Sequence, residues 1–131
     1  MTVLRFTVGR FECVAVLDGV LIYTPEQYFP NASADVLARY GLGEEIPSPY
    51  SCLLVDTGTH RVAVDTGGRG LAAGVGKFAE SFVETGWNRA DVDTVVITHA
   101  HPDHIGGNID ADGIPTFPNA RIVMRRAEWD Y

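Results

Sequence analysis

Thr94-Val95-Val96-Ile97-Thr98-His99-Ala100-His101-Pro102-Asp103-His104-Ile105-Gly106-Gly107-Asn108 joins a run of β-branched residues to a cluster of imidazoles and a carboxylate. The apolar run predicts a buried strand. Three of the chain's four histidines fall within the six residues that follow Thr98, with an aspartate among them. In an extended segment His99 and His101, two apart, point to the same face. Pro102 cannot continue a central strand, so the chain turns there and can swing Asp103 and His104 towards the same point. Imidazole nitrogen with carboxylate oxygen is a ligand set for zinc, or for iron or manganese at similar sites. A lone histidine would be read as an ordinary core or surface residue. Four potential ligands held between a strand and a glycine pair predict a metal site at His99, His101, Asp103 and His104.

Upstream, Tyr50 to Asp56 and Arg61 to Asp65 predict a hairpin that turns through Thr57-Gly58-Thr59-His60. His60, at that turn, reads as solvated. Taken with the histidine stretch, this hairpin resembles the metallo-β-lactamase fold hydrolases. His99-Ala100-His101-Pro102-Asp103-His104 before Gly106-Gly107 is similar to their His-x-His-x-Asp-His signature. Cys52-Leu53-Leu54-Val55-Asp56-Thr57-Gly58 and Val62-Ala63-Val64-Asp65-Thr66-Gly67 resemble their hairpin ending in Asp-x-Gly. The likeness runs from about Tyr50 to the end of the chain. A histidine directly after the aspartate is like the glyoxalase II and lactonase branches, which hold two metals.

The resemblance implies an α/β (α+β) fold: half of an αββα sandwich, with a mixed, largely antiparallel sheet and flanking helices. It implies two zinc ions in the intact domain, with iron or manganese as alternatives. His99 and His101 would bind one, Asp103 and His104 the other. A hydroxide held between them would attack an ester, thioester or lactone of a small-molecule substrate, and Asp103 would orient it and pass on its proton. Asp65 is placed to support a metal-binding histidine from behind; otherwise it is an Asx-turn residue shaping its own loop. A family domain is about twice this length, so residues 1–131 are expected to be a single N-terminal half, truncated and by itself inactive. Two other readings stand beside the hydrolase. One is a mononuclear iron dioxygenase acting on persulfides, which carries the same signature. The other is a half-domain without catalysis that forms a homodimer to cover its exposed sheet face.

With 131 residues, 46% hydrophobic and 21% charged, the chain has the length and composition of one soluble globular domain. A net charge of −7 offers nucleic acid no basic footprint. No apolar run reaches the length of a membrane span, and no signal-peptide pattern follows Met1. Cys13 and Cys52 in apolar segments read as buried reduced thiols, which with the missing signal points to the cytoplasm.

The rest of the chain predicts smaller elements. Residues 3–8 and Glu12 to Leu17 read as strands, and Asp18-Gly19 as a hairpin turn with Val20 to Tyr23 returning. Pro25 and Pro30 mark a loop. Ser33 or Asn31 caps a short helix through Arg39, with Gly41 suited to its end. Gly43 to Pro49 reads as a loop, either a flap over a cleft or a plain connection. Gly67 to Gly76 holds five glycines and reads as a flexible loop without the spacing of a phosphate-binding one. Phe78, Phe82 and Val83 give Lys77 to Thr85 a helical core face, ended by Gly86. Asn88 to Asp93 is a turn, and Asp110 to Pro118 a loop whose acids Asp110 and Asp112 are solvated. Ala120 to Met124 is a further strand, and a helix starts at Arg126.

Overall fold

Six strands form one sheet in sequence order, and its direction changes at the middle. In this computed structural model, which describes Met1–Tyr131, β1 (Val3–Val8), β2 (Phe11–Tyr23), β3 (Ile46–Asp56) and β4 (Arg61–Val64) are antiparallel neighbours. β5 (Thr94–Ile97) joins β4 in parallel, and β6 (Arg121–Met124) joins β5 in parallel. The expected mixed, largely antiparallel sheet is therefore present. The helices are short: α1 (Pro25–Tyr28), α2 (Ala34–Arg39), α3 (Phe78–Val83), α4 (Pro102–Ile105) and α5 (Arg126–Trp129). None is long and apolar enough to cross a membrane.

One face of the sheet carries the core. Val14, Leu54, Ala63 and Val95 are aligned across four strands and almost fully buried. Phe78 and Phe82 of α3 cover them together with Phe117. The three rings meet edge-on at centroid distances of 5.5–6.2 Å, the geometry aromatic quadrupoles favour. The other face has no covering layer. Its row Leu4–Ala15–Leu53–Val64–Val96–Val123 is apolar throughout, yet Leu4 is 59% exposed and Val123 43% exposed.

Three expectations need correction. Asp18-Gly19 is not a hairpin turn. β2 runs straight through it as one thirteen-residue strand, and a register shift between Leu17 and Gly19 absorbs the irregularity. The turn between the first two strands is Gly9-Arg10. Gly19 is there because a Cβ would collide with the Gly74 carbonyl oxygen, which accepts the Val20 N–H at 3.0 Å. Second, Ile46 to Pro49 is strand, continuous with β3. That stretch pairs with β2 alone, so its other edge is free, and Pro47 and Pro49 remove no ladder bond from that unpaired edge. Third, Pro25 does not stop regular structure. It opens α1 at the first helical position, behind a capping box in which Thr24 accepts from the Gln27 N–H and the Gln27 side chain accepts from the Thr24 N–H. Ser33 caps α2 as expected, through the Val36 N–H.

Candidate metal centre

The predicted donors all lie where the parallel strands end. β5 stops at Ile97, Thr98 follows, and His101 takes the N-cap position of α4, with Pro102 at its first turn. The chain turns at Pro102 as its missing N–H requires, and continues as a single helical turn that carries Asp103 and His104 back towards His99. The ring centroids of His99 and His104 are 3.8 Å apart, and those of His99 and His101 are 4.7 Å apart. This is the C-terminal edge of the parallel strands, where open α/β sheets place their ligand crevices.

Hydrogen bonds decide which nitrogens face outward. Asp65, directly after β4, is 7% exposed and accepts from His104 Nδ1 at 2.8 Å. Its carboxylate also accepts from the Thr98 N–H and the Thr98 hydroxyl, both at 2.8 Å. The Thr98 oxygen in turn lies 3.1 Å from His99 Nδ1. An Nδ1–H held in this way leaves Nε2 as the free donor on both His99 and His104. His104 Nε2 lies 3.2 Å from Asp103 Oδ2, so two atoms that would share a cation already face each other. Asp65 has φ 61°, and no other non-glycine residue has a positive φ. Holding a side chain in that conformation costs of order 1 kcal/mol or more, so the surrounding bonds must fix it.

The loop after β4 and the donor turn are stitched together by backbone bonds. The Thr66 N–H donates to His104 O at 2.8 Å and the Gly107 N–H to Gly67 O at 3.1 Å. A Cβ on Gly107 would collide with the Thr66 carbonyl oxygen, so the second glycine of the pair is required by this close approach. Asp18, which the sequence reading treated as a turn residue, fixes the same region. It is 1% exposed and accepts three backbone N–H bonds, from Gly68 at 2.9 Å, Gly76 at 3.0 Å and Phe78 at 2.8 Å. The glycine-rich segment is thus tied to β2 and to the start of α3, and Gly68 is held against Asp103.

A cleft of about 360 Å³ opens beside Asp103 and His104, with Tyr28, Ser48, Tyr50 and Cys52 in its walls. The segment read as a flap or a connection borders the site as strand. Tyr50 and Tyr23 share a hydroxyl hydrogen bond at 2.7 Å. That bond, with burial and the nearby charge of Asp103, pushes the Tyr50 phenol up to about 12. Burial, followed by the charges of Asp18 and Asp65, raises the Cys52 thiol and keeps it protonated. Cys13 and Cys52 are both buried and free, as the sequence suggested. His60 stays away from this site, at the opposite end of β4. Asp110 turns inward on its own loop, accepting the Asp112 and Ile114 N–H groups.

The donor types fit a divalent cation. Their number does not close a coordination shell: no three His, Cys, Asp or Glu side chains converge as a ligand set, where catalytic zinc takes three protein ligands. Sequence reasoning missed Thr98 and Asp18. The signal for Thr98 was a hydroxyl directly ahead of the first histidine. Asp18 gave none, because its partners are at least 50 residues away.

The sequence model of the metallo-beta-lactamase superfamily matches residues 46–131. No curated protein matches the sequence. Among solved structures, the chain is similar to AidC, a dizinc quorum-quenching lactonase in complex with a product, at 27% identity and a TM-score of 0.86. The match covers 98% of this chain and 46% of that one. The hydrolase AbOPH of the beta lactamase superfamily matches at 24% identity and a TM-score of 0.82, again over 98% and 46%. A probable metal-dependent hydrolase from Staphylococcus aureus matches at 22% identity and a TM-score of 0.77, over 95% and 50%. The chain therefore spans about half the length of the structures it matches.

Proposed function

The chain belongs to the metallo-beta-lactamase superfamily, and we propose that it forms the N-terminal half of a metal-dependent hydrolase that opens an ester, thioester or lactone. One observation carries this reading: His99 and His104 have their Nδ1 atoms tied to Thr98 and Asp65 and their rings 3.8 Å apart, with His104 Nε2 beside the Asp103 carboxylate at the mouth of a cleft. The similarity to a dizinc lactonase supports the same direction.

In this reading His99 and His101 hold one ion, and Asp103 and His104 a second, zinc in each case. Bound there, the ions would supply the Lewis acidity that acidifies a water and polarises a carbonyl. Asp103 faces the cleft, where it can orient the attacking water and pass a proton to the leaving oxygen. Asp65 and Thr98 keep the imidazoles in the tautomer that presents Nε2. Tyr28 and Tyr50 line the cleft beside Asp103, where their rings could pack against an organic acyl group. The remaining ligands and the layer over the open sheet face come from outside these residues, from further chain or from a second copy.

The test is the metal content of protein purified without added metal, compared with His99→Ala and with the rate of lactone and ester hydrolysis. Zinc uptake when the metal is supplied, lost in the variant, with little turnover from this half alone, is the expected result. Iron with oxygen consumption would replace the hydrolase by the dioxygenase. Protein that takes up no metal even with zinc supplied would overturn the reading.

A further inference from the structure

Glu128 has no ligand-like setting in the sequence, yet its side chain reaches the centre of the donor motif. β6 pairs in parallel with β5 from Thr94↔Arg121 to Ile97↔Met124, so both strands release the chain at the same edge. Past β5 comes the histidine turn; past β6 comes α5. Glu128 of α5 accepts the Ala100 N–H with Oε2 at 3.0 Å. Ala100 lies between His99 and His101. The N-cap Arg125 gives no side-chain bond to α5, and the Glu128 carboxylate bonds outside its own helix. The residue is half-buried, which shields the bond from competing water.

We infer that Glu128 is a positioning residue for the two histidines. This rests on the reading of His99 and His101 as metal ligands. The peptide planes on either side of Ala100 set the directions in which the two Cα–Cβ bonds leave the backbone. His101 is the N-cap of α4 and gives no side-chain cap bond, so nothing in the motif itself fixes the Ala100 peptide. The carboxylate of Glu128 does, through a charge-assisted bond. Three successive parallel strands then each contribute one part. β4 delivers Asp65, which holds His104; β5 delivers the donors; β6 delivers Glu128, which holds the turn.

The experiment uses Glu128→Ala and Glu128→Gln in the full chain, with two readouts. The first is amide exchange at Ala100 in metal-free protein, read against Val95 in the core. The second is zinc affinity, by competition with a chromophoric chelator. In Glu128→Ala, Ala100 should exchange at least about tenfold faster while Val95 is unchanged, and zinc affinity should fall by about 10–100-fold. Glu128→Gln keeps an oxygen acceptor and should restore slow exchange and return zinc affinity to within about threefold of the original chain. A lower Tm in Glu128→Ala with unchanged Ala100 exchange would overturn the proposal, as would a glutamine variant no better than alanine. If exchange responds but the original chain binds no zinc, the hold on the turn stands and the metal reading fails. If all three proteins bind zinc equally, the metal reading stands and the positioning role fails.

Discussion

Both ends of the parallel strands β4 and β5 gather aspartates and histidine, and they treat that charge in opposite ways. At the N-terminal end, Arg61 bridges Asp56 at 3.2 Å and Asp91 at 2.9 Å, with its guanidinium 5.0 Å over the Trp87 ring. Asp93 accepts the Arg61 N–H and the Thr94 hydroxyl and lies 3.2 Å from His60 Nδ1. At the C-terminal end the ion pairs are His104 with Asp65 and His104 with Asp103, and neither arginine nor lysine enters them. The first cluster brings its own cation. The second is built from imidazoles and carboxylates and has no arginine or lysine of its own. Residue types alone do not distinguish the two clusters; the presence of Arg61 does, and so does strand direction.

The contrast breaks most completely if the support beneath the C-terminal end is removed. Asp18→Ala leaves three N–H groups without an acceptor, two of them buried, and urea denaturation should show a loss of about 3 kcal/mol. Asp18→Asn, which keeps one accepting oxygen, should lose less. Asp65→Ala acts on the cluster itself. It removes the acceptor for His104 and both Thr98 bonds and leaves an alanine at a positive φ. Zinc affinity in a chelator competition should fall by about 10–100-fold, while Asp65→Asn, tolerant of that backbone, should fall by less. The smallest effect belongs to the N-terminal end. The Thr94 hydroxyl, the Arg61 N–H and His60 hold the Asp93 carboxyl below its usual value, against a smaller opposing effect of burial. A depressed folded-state pKa stabilises above the unfolded value, near about 4, and that stability is lost as pH falls through the lower folded value. Tm measured from pH 2 to 6 should therefore have a shallower acid limb in Asp93→Asn, with no difference between the two proteins in the pH dependence above pH 6. Because Asp93 is well exposed, solvent screens the effect.

The donor strand, the hairpin from Tyr50 to Asp65 and the Ser33 cap were legible because their signals are local: β-branched runs, a Gly-containing turn, a hydroxyl ahead of a helix. Asp18-Gly19 misled because an aspartate before glycine between apolar runs is the local mark of a turn. Here the glycine makes room for the Gly74 backbone and the aspartate answers N–H groups far along the chain, neither of which a window of sequence contains. Pro47 and Pro49 misled for a related reason. Proline forbids a central ladder, and whether a strand is central depends on where its other neighbour stops. In the candidate site the donors were visible as a motif. Thr98 and Glu128 were not, since the partners of their bonds are set by the pairing of β5 with β4 and β6.

Asp65 also limits what the chain can be rewritten into. Its backbone, at φ 61°, admits glycine, asparagine or aspartate at modest cost and penalises longer or branched side chains. Its contacts require two anionic oxygens, one shared between His104 and the Thr98 hydroxyl and the other on the Thr98 N–H. Glutamate meets the second demand and fails the first; glycine does the reverse. The overlap is a single letter of the amino-acid alphabet. In a library randomised at this codon and selected for a formed donor cluster, the information retained should approach the maximum a position can hold, while neighbouring Val64 drifts among apolar residues.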